Sequence, residues 1–506
     1  MSRKKRSMQN AVVALLSEIL VALVGLFFPQ AIILNYGSKA NGLITSLQQL
    51  MQYFTLIEAG LSGAAVFALY KPLAQNDTRL IQRILCSAKK LYMKTGCVFV
   101  LIVLVTSLVY PLFIADTGYP GWMVSVLFCL IGINGASQLF FIGKYKVLLN
   151  ASQNNRYVAL LNAASTCLFS VSIILAAYLK VHILIAVLLG CLAYLVRALG
   201  YYLVIRKLFP QYGYNSPDED YPFKNQREVF IQQILSMLVM NSSILILSFT
   251  KTDMAQISVF TVYNMVLTAV FMLTNAVHNG VSAGFGDLIA RSDREKLQNA
   301  YTQYEFLYQI FWTVVFSCVS TLYLPFMSIY TEKFQDAVYV RPALCILFSV
   351  LAAVWAVRIQ QSVLIVAAGK FKEIQKGSII EAVLAVLLSA VGLYFGGLEG
   401  LMLGRTLAAL YRMIDFIRFS HREVLGLKVW VTVKGIAGSA AVILAANLAS
   451  SCLLGSLQID SYVKWAVYAI CVAACSAMAG GVVSALLYRK QAAAFLAKLR
   501  KENRKV

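Results

Sequence analysis

Charged side chains are scarce in this sequence. Only 13% of its 506 residues are Asp, Glu, Lys or Arg, whereas 60% are hydrophobic, and the mean hydropathy is +0.73. A soluble protein of this size would expose far more charge to water. The composition therefore excludes a soluble globular protein and predicts an all-α chain that crosses a membrane many times.

Acidic residues are half as frequent as basic ones, 22 against 44, which gives a formal net charge of +22. Such an excess can indicate nucleic-acid binding, but here no hydrophilic domain exists to carry a basic face. The basic residues sort by membrane side instead. We expect membrane lipids as partners and no nucleic acid.

Motifs for metal, redox or nucleotide chemistry are missing. The ten cysteines lie mostly inside apolar runs and form no Cys-x-x-Cys, and only three histidines occur. The sequence has no Gly-x-x-x-x-Gly-Lys-Ser/Thr loop, so ATP is not the direct energy source. We expect no metal, no disulfide framework and no cofactor, and coupling to H⁺ or Na⁺ stays open.

Long apolar runs are abundant, since a membrane-spanning helix needs about 20 such residues. The first run follows Arg3–Arg6 and extends to Leu34 without a small-residue cleavage site, so we expect a retained span and not a signal peptide. Fourteen segments qualify as spans: 10–34, 42–69, 91–114, 122–142, 157–179, 183–206, 229–250, 257–281, 304–329, 342–366, 378–396, 399–419, 430–453 and 462–488.

The basic residues supply an independent test of this count. With both termini in the cytoplasm, the cytoplasmic segments contain 34 Lys and Arg, the outer segments contain six and the spans contain four. Cytoplasmic loops carry such an excess, and one missed span would exchange the sides of every loop after it. We therefore expect a multi-pass protein of the bacterial cytoplasmic membrane with both termini inside.

Four pairs of short segments repeat in the same order at offsets of 214 to 220 residues. Together they relate spans 2, 4 and 6 to spans 8, 10 and 12, which predicts two six-helix halves repeated in parallel, with spans 13 and 14 appended. The pairs are Gly60–Ala64 with Gly280–Gly284, Val147–Ala151 with Val363–Ala367, Gly190 with Gly404, and Arg197 with Arg412.

The longest cytoplasmic connection contains prolines, a glycine and several acids, which is typical of a flexible connector between bundles. The chain after span 14 alternates apolar and basic residues and resembles an amphipathic or simply solvated tail. The expected domains are a six-helix bundle (1–206), a connector (207–228), a second six-helix bundle (229–425), helices 13 and 14 (426–488) and a basic cytoplasmic tail (489–506).

Three segments, Glu58–Ala74, Leu148–Tyr157 and Gly280–Ala290, carry a resemblance to a known family. They resemble the polysaccharide-transporter branch, which includes Wzx-type flippases, of the multidrug/oligosaccharidyl-lipid/polysaccharide exporter superfamily. The resemblance implies a V-shaped pair of six-helix bundles around a central cavity that opens alternately to the two membrane faces. By analogy with the lipid II flippase of that superfamily, it also implies that spans 13 and 14 form a groove for a lipid tail.

This resemblance implies a flippase that moves an undecaprenyl-pyrophosphate-linked oligosaccharide outward and is not an enzyme. Glycosyltransferases and a polymerase of the same pathway are expected partners of a monomeric carrier. A cation-coupled drug antiporter of the same superfamily is the alternative, although it would favour acids over arginines in its cavity. A polysaccharide polymerase or ligase would need a large outer loop, and every outer loop here is short.

Four arginines inside the spans are the candidate ligands of the pyrophosphate. A guanidinium keeps its charge and donates paired hydrogen bonds to phosphate oxygens, and at membrane depth it must face protein or water. The alternative is local pairing of Arg412 with Asp415 and of Arg405 with Glu399. The candidates are Arg197, Arg358, Arg405 and Arg412.

Acids in or near the spans are candidates for ion coupling, because a carboxylate in low dielectric can exchange a proton or bind Na⁺. Glu18 is the leading candidate, since no charged residue lies within ten positions of it; a structural role is favoured for Glu58, and Glu381 is the third candidate. Each could equally neutralise an arginine.

Several amide side chains could contact sugar hydroxyls, although hydrogen bonding between helices is the alternative. They are Gln52, Asn241, Asn264 and Asn275. The glycines at 392, 396, 400 and 404 recur every four residues. We expect Gly396-Gly397 to form the turn between spans 11 and 12 and the others to allow close helix packing.

Overall fold

The computed structural model describes residues 3–114, 117–214, 221, 226–290, 294–370, 372–454, 459–494 and 497. Most of the acidic part of the connector (215–220 and 222–225) and the last residues of the basic tail (498–506) lie outside this set, as do several side chains of the Gly60–Ala64 and Gly280–Gly284 repeats. The expectations for those parts stay predictions.

All regular secondary structure in the described residues is helical, which confirms the predicted fold class. No water is available to the backbone inside a membrane, so an apolar run of this length forms a helix, in which the N–H and C=O groups bond to one another. In chain order the elements are α1 (Arg3–Tyr36), α2 (Ser38–Gln75), α3 (Thr78–Phe113), α4 (Gly121–Ser137), the π-helical segment π1 (Gln138–Ile142), α5 (Gly143–Ala151), α6 (Asn155–Tyr178), α7 (Ile183–Leu208), α8 (Gln226–Phe249), α9 (Met254–Ala290), α10 (Arg294–Tyr330), α11 (Pro342–Ala367), α12 (Gln375–Phe419), π2 (Ser420–Leu425), α13 (Trp430–Leu454) and α14 (Tyr462–Leu487).

Each of the fourteen predicted spans overlaps one of these helices. Spans 11 and 12 both lie in α12, and span 4 runs from α4 into π1. Eleven helices in the described part of the chain are long and apolar enough to cross a membrane, with α12 and π2 counted as one. The multi-pass architecture is thus confirmed, and the number of fourteen spans stays a prediction.

α12 contains the predicted turn. Its backbone leaves the helical conformation at Gly396 (φ −137°, ψ 19°) and Gly397 (φ 58°, ψ −141°). The positive φ of Gly397 favours a residue without a Cβ atom. Beyond the turn the two halves pack closely, since a Cβ atom on Gly392 would lie 2.0 Å from the carbonyl oxygen of Gly400. The glycine prediction is confirmed.

The contacts between helices divide the chain into two compact units. Unit 1 comprises residues 1–262 and unit 2 comprises residues 263–506, with the division inside α9. This division lies beyond the connector 207–228, because α8 packs along α2, so that α8 and the start of α9 belong with the first six helices.

Unit 1 is assembled around α2, which packs against α1, α3, α4, α5 and α8. Near its start, α2 meets α8 and α9 through small and polar side chains: Ser46 Oγ contacts Ser248 Oγ, and Asn41 Nδ2 donates to Ser258 Oγ at 2.8 Å. These buried contacts fix the position of the helix that contributes most residues to the cavity described below.

Unit 2 is assembled around α10, which packs against α11 on one side and against α13 and α14 on the other. α11 in turn packs on α12. The two helices that sequence repeats leave unpaired, α13 and α14, are therefore integral to this unit, and they contact each other as well as α10.

Candidate functional site

Unit 1 contains a cavity of about 350 Å³ that is lined by α1, α2, α4, α6 and α7. The lining residues of each helix recur three or four positions apart and so share one helix face, as for Gln48, Gln52 and Thr55 on α2. Its polar lining comprises Gln48, Gln52, Thr55, Asn134, Thr166, Ser170, Tyr194 and Arg197.

Arg197 is the charged residue of this lining. Its Nη2 donates to Asn134 Oδ1 at 2.8 Å and to Ser137 Oγ at 3.1 Å, and its guanidinium lies 5.3 Å from the ring centre of Tyr194. Its Nε is buried and has no hydrogen-bond partner among the described residues. The guanidinium is thus held in position by neutral groups and retains an unused donor.

No salt bridge between described residues includes Arg197. The nearby acid of unit 1, Glu58, accepts instead from Lys146 Nζ at 3.2 Å and from Gln138 Nε2 at 3.0 Å. This arrangement fits the structural role favoured for Glu58. It leaves the charge of Arg197 without a directly paired carboxylate, which makes the cavity attractive to an anion.

Two further predicted residues lie at or near this cavity. Gln52 is exposed to it and accepts from Gln49 Nε2 at 3.3 Å. Glu18 is exposed on α1, and its spacing to the lining residues Val21 and Gly25 places it on the same helix face, one turn earlier. Glu18 therefore adjoins the lining and is not part of it.

The predicted arginines of α11 and α12 lie in a different setting. Arg412 is only 1% exposed, and its Nη1 donates to Asp415 Oδ2 at 2.5 Å while its Nε lies 3.4 Å from Glu381 Oε2. Arg358 forms a salt bridge with the other oxygen of Glu381. Two arginines and two acids thus neutralise one another within unit 2.

Ring and hydroxyl contacts complete this ion-pair cluster. The guanidinium of Arg412 lies 4.3 Å from the ring centre of Phe416, and its Nη2 donates to Ser378 Oγ at 2.6 Å. The guanidinium of Arg358 lies 4.3 Å from the ring centre of Trp355. Arg412 thus shows the local pairing with Asp415 that was the alternative for it, and its other hydrogen bonds are to Ile374 O and Ser378 Oγ.

The other predicted residues of unit 2 are dispersed. Arg405 is buried, and Glu399 lies 3.6 Å from Arg341; the pairing of Arg405 with Glu399 stays a prediction. Asn264 is partly buried and Asn275 is exposed, both on α9. Asn241 of α8, in unit 1, is partly buried and is not among the residues that line the cavity.

Sequence reasoning missed five polar residues of the cavity, namely Thr55, Asn134, Thr166, Ser170 and Tyr194. Asn134 carried the clearest signal, because it is an amide within the apolar span 122–142. Within the described residues no group of three or more His, Cys, Asp or Glu side chains is placed to hold a metal ion. The polar part of the site consists of amide and hydroxyl groups and one cation, Arg197.

No protein-family model matches the chain, and no curated protein matches it. Solved structures do. The chain is similar to an inward-facing multidrug resistance MATE family transporter of the MOP superfamily, with 14% identity over 87% of this chain and 99% of that one, at a TM-score of 0.62.

It is likewise similar to the lipid II flippase MurJ in an inward closed conformation, with 14% identity over 95% of this chain and 99% of the other, at a TM-score of 0.67. A MATE in complex with MaD3S aligns over 83% of this chain and 97% of its own length at 15% identity and a TM-score of 0.54. The chain has the fold of these membrane transporters over nearly its entire length.

Proposed function

We propose that this protein is a flippase that moves a polyprenyl-pyrophosphate-linked oligosaccharide, specifically an undecaprenyl-pyrophosphate-linked repeat unit of a cell-surface polysaccharide, from the inner to the outer leaflet by alternating access. The observation that carries the proposal is Arg197, a cation without a salt-bridge partner in the cavity of unit 1. A pyrophosphate is the anionic part of such a substrate, and arginine is well suited to bind it.

The geometry of the cavity supports an anionic head group. A guanidinium has five N–H donors; Nη2 of Arg197 donates to Asn134 and Ser137, and no carboxylate among the described residues forms a salt bridge with this group. Ligand pockets commonly have volumes of about 300 to 1,000 Å³, so a cavity of about 350 Å³ suits a pyrophosphate and not an entire oligosaccharide. Gln48 and Gln52 provide neutral hydrogen-bonding groups beside it.

The ion-pair cluster of unit 2 receives a structural role in this proposal. Arg358 and Arg412 both form ion pairs with Glu381, so the charge of the carboxylate is compensated within the protein. Substrate binding is therefore assigned to Arg197 with Gln52, and Glu381 is not used as a coupling group. Glu18, exposed one turn before the cavity lining, is the candidate for coupling to H⁺ or Na⁺.

The similarity to the lipid II flippase MurJ supports a flippase, since a protein with that activity has this fold. We further propose that the protein is a monomer of the bacterial cytoplasmic membrane, with both termini inside, that works with glycosyltransferases and a polymerase of the same pathway. No catalytic step is proposed for it.

The test is transport in proteoliposomes that contain undecaprenyl-pyrophosphate linked to a fluorescent disaccharide, with a membrane-impermeant quencher reporting the outer leaflet. We expect Arg197→Gln to lower the initial rate about tenfold or more. A hydrogen bond to a charged group contributes about 1.5–3 kcal/mol, and about 1.4 kcal/mol corresponds to a factor of ten.

Arg206→Gln is the matched control, because Arg206 lies on the same helix, is exposed and donates to Tyr202 OH. Its rate should equal that of the wild type. Equal rates in wild type and Arg197→Gln would remove the basis of the proposal.

A drug or small-cation antiporter is the second candidate, favoured by the similarity to multidrug resistance MATE transporters and by the exposed carboxylate of Glu18. The same proteoliposomes discriminate between the two. Ethidium is exchanged there against a proton or Na⁺ gradient. Counter-transport that is lost in Glu18→Gln but retained in Arg197→Gln would favour the antiporter.

A further inference from the structure

Glu305, a further acid of unit 2, lies within the span of α10 and was not among the predicted residues. It is 1% exposed. No salt bridge between described residues includes it, and its Oε2 has no hydrogen-bond partner among them. A buried carboxylate without a cation is costly unless it carries a proton or shares one.

Glu305 belongs to a buried chain of hydrogen bonds that joins three elements. Its Oε1 contacts the hydroxyl of Thr432, at the start of α13, and Thr432 Oγ1 lies 3.0 Å from Nε2 of His421 in π2. His421 Nδ1 lies 3.0 Å from the carbonyl oxygen of Ile417. Thr432 and His421 are both fully buried.

The partners of His421 fix its tautomer. A backbone carbonyl only accepts hydrogen bonds, so Nδ1 must carry a proton and donate to Ile417 O. The neighbouring Ser420 does not change this, because its hydroxyl donates to Gln361 Oε1 at 2.7 Å. A neutral His421 therefore presents the lone pair of Nε2 to Thr432.

Thr432 has one hydroxyl proton and two neighbours that would both accept it. If His421 is neutral and Glu305 is ionised, one of the two contacts loses its hydrogen. One added proton satisfies both contacts in either of two ways. Glu305 can carry it and donate to Thr432, which then donates to Nε2, or His421 can carry it on Nε2 and donate to Thr432, which then donates to the carboxylate.

The surroundings contain tyrosines and no directly paired charge. Tyr301, Tyr304 and Tyr488 are the other titratable groups close to the carboxylate. On the elements packed against the site, Arg358 is paired with Glu381. The remaining charged groups are exposed, namely Arg294, Glu295, Lys296, Arg422, Glu423, Lys434, Lys464, Arg489 and Lys490.

We propose that Glu305, Thr432 and His421 form a proton-binding site that holds one exchangeable proton between α10, π2 and α13. The step is uptake of one proton, which raises the charge of the site by one and involves no electron transfer. Loss of the proton leaves one of the two hydrogen bonds of Thr432, to Glu305 of α10 or to His421 of π2, without its hydrogen and so weakens a contact of α13. Proton binding itself does not rest on the proposed flippase function; only its use for coupling does.

The test uses full-length protein in lipid bilayers, titrated over about pH 5 to 9. Infrared spectra follow the carbonyl stretch of a protonated carboxyl, and ¹⁵N spectra of histidine-labelled protein follow His421, assigned by its absence in His421→Gln. We expect one common midpoint for the two signals. Glu305→Gln should remove the infrared signal and move the His421 midpoint by about one pH unit or more.

The matched control is Glu295→Gln, an exposed acid on the same helix, which should change neither signal. Thr432→Val removes the hydroxyl that links the two groups and should separate their midpoints, whereas Thr432→Ser should restore the common one. A His421 titration that is identical in wild type, Glu305→Gln and Thr432→Val overturns the proposal, as does the absence of any titration at either group. Unchanged lipid transport in these variants would leave the proton site intact and would separate it from coupling.

Discussion

The charge of an arginine within an apolar helix can be stabilised by neutral hydrogen-bond acceptors or by carboxylates, and both arrangements occur in this protein. Arg197 is held by an amide and a hydroxyl beside a cavity, so its charge is available to a ligand. Arg412 is held by Glu381 and Asp415, so its charge is cancelled within the protein. In the proposed function the first arrangement serves recognition, whereas the second neutralises two arginines within the protein.

The ion-pair cluster of unit 2 yields a prediction on stability. Replacing Glu381 by Gln leaves Arg358 and Arg412 without their shared carboxylate, and breaking a buried pair by removing one partner costs about 3–5 kcal/mol. We expect this loss in the free energy of unfolding, measured by denaturant titration in detergent micelles.

Asp415→Asn is the comparison for this experiment. The Asp415 side chain is 35% exposed, and Arg412 keeps Glu381 in that variant, so the loss should be about 1 kcal/mol or less. Equal losses in the two variants would contradict the central position of Glu381.

The sequence could predict that each arginine must face protein or water, but not which of the two. That outcome depends on helix rotation and on acids from other helices. Glu381 lies 31 residues before Arg412 and reaches it only because the two halves of α12 fold back at Gly396 and Gly397. Glu305 was missed for the same reason, since Thr432 and His421 are more than a hundred residues away in the chain.

At the scale of elements, α12 is a hairpin of two helical halves rather than one helix, and its glycines have distinct roles. Gly397 adopts the positive φ of the turn, while Gly392, Gly400 and Gly404 bring the backbones together. A Cβ atom on Gly404 would lie 2.1 Å from Leu388 O. This close approach lets the arginine of one half reach the acid of the other.

The spacing within the hairpin can be tested with two glycine variants. In Gly400→Ala the added methyl group would lie 2.0 Å from Gly392 O, a backbone atom that cannot rotate away. We expect a loss of about 1–3 kcal/mol in the free energy of unfolding, as for other overpacked sites.

Gly396→Ala is the control in the same hairpin, because no atom lies within 4 Å of its Cβ position and its φ is negative. It should change stability by about 0.5 kcal/mol or less. A stable Gly400→Ala variant would show that the two halves can separate without cost.

Hydropathy predicted the helices well because the membrane demands long apolar runs, whereas it carried no information about π1 and π2. A π-helical turn contains an extra residue and changes the direction of the side chains beyond it. In π2 this places Ser420 beside Gln361 and His421 beside Thr432. The proton site therefore depends on a local feature for which apolar periodicity gives no signal.

At the scale of the whole molecule, the distribution of charge and the helical architecture describe one arrangement. The charge distribution assigns certain loops to the outer side. Each of these loops lies between the two helices, or halves of α12, that correspond to the two predicted spans flanking it. The boundary of the units was less predictable, because it depends on the packing of α8 along α2 and not on the composition of the connector. Sequence repeats therefore do not by themselves predict which helices pack together.

The orientation of the chain can be tested by labelling on either side of α11. In a variant without its ten native cysteines, Lys333→Cys lies in the loop before α11 and Lys372→Cys lies in the loop after it, and both positions are exposed. One helix separates the two loops, so they must lie on opposite sides of the membrane if α11 spans it.

We expect a membrane-impermeant maleimide to label the cysteine at position 333 in intact bacterial cells and the cysteine at position 372 only after permeabilisation. The reason is that the loop around residue 372 contains the excess of lysines typical of the cytoplasmic side. Labelling of both positions in intact cells would contradict a transmembrane α11, and the reverse pattern would place both termini outside.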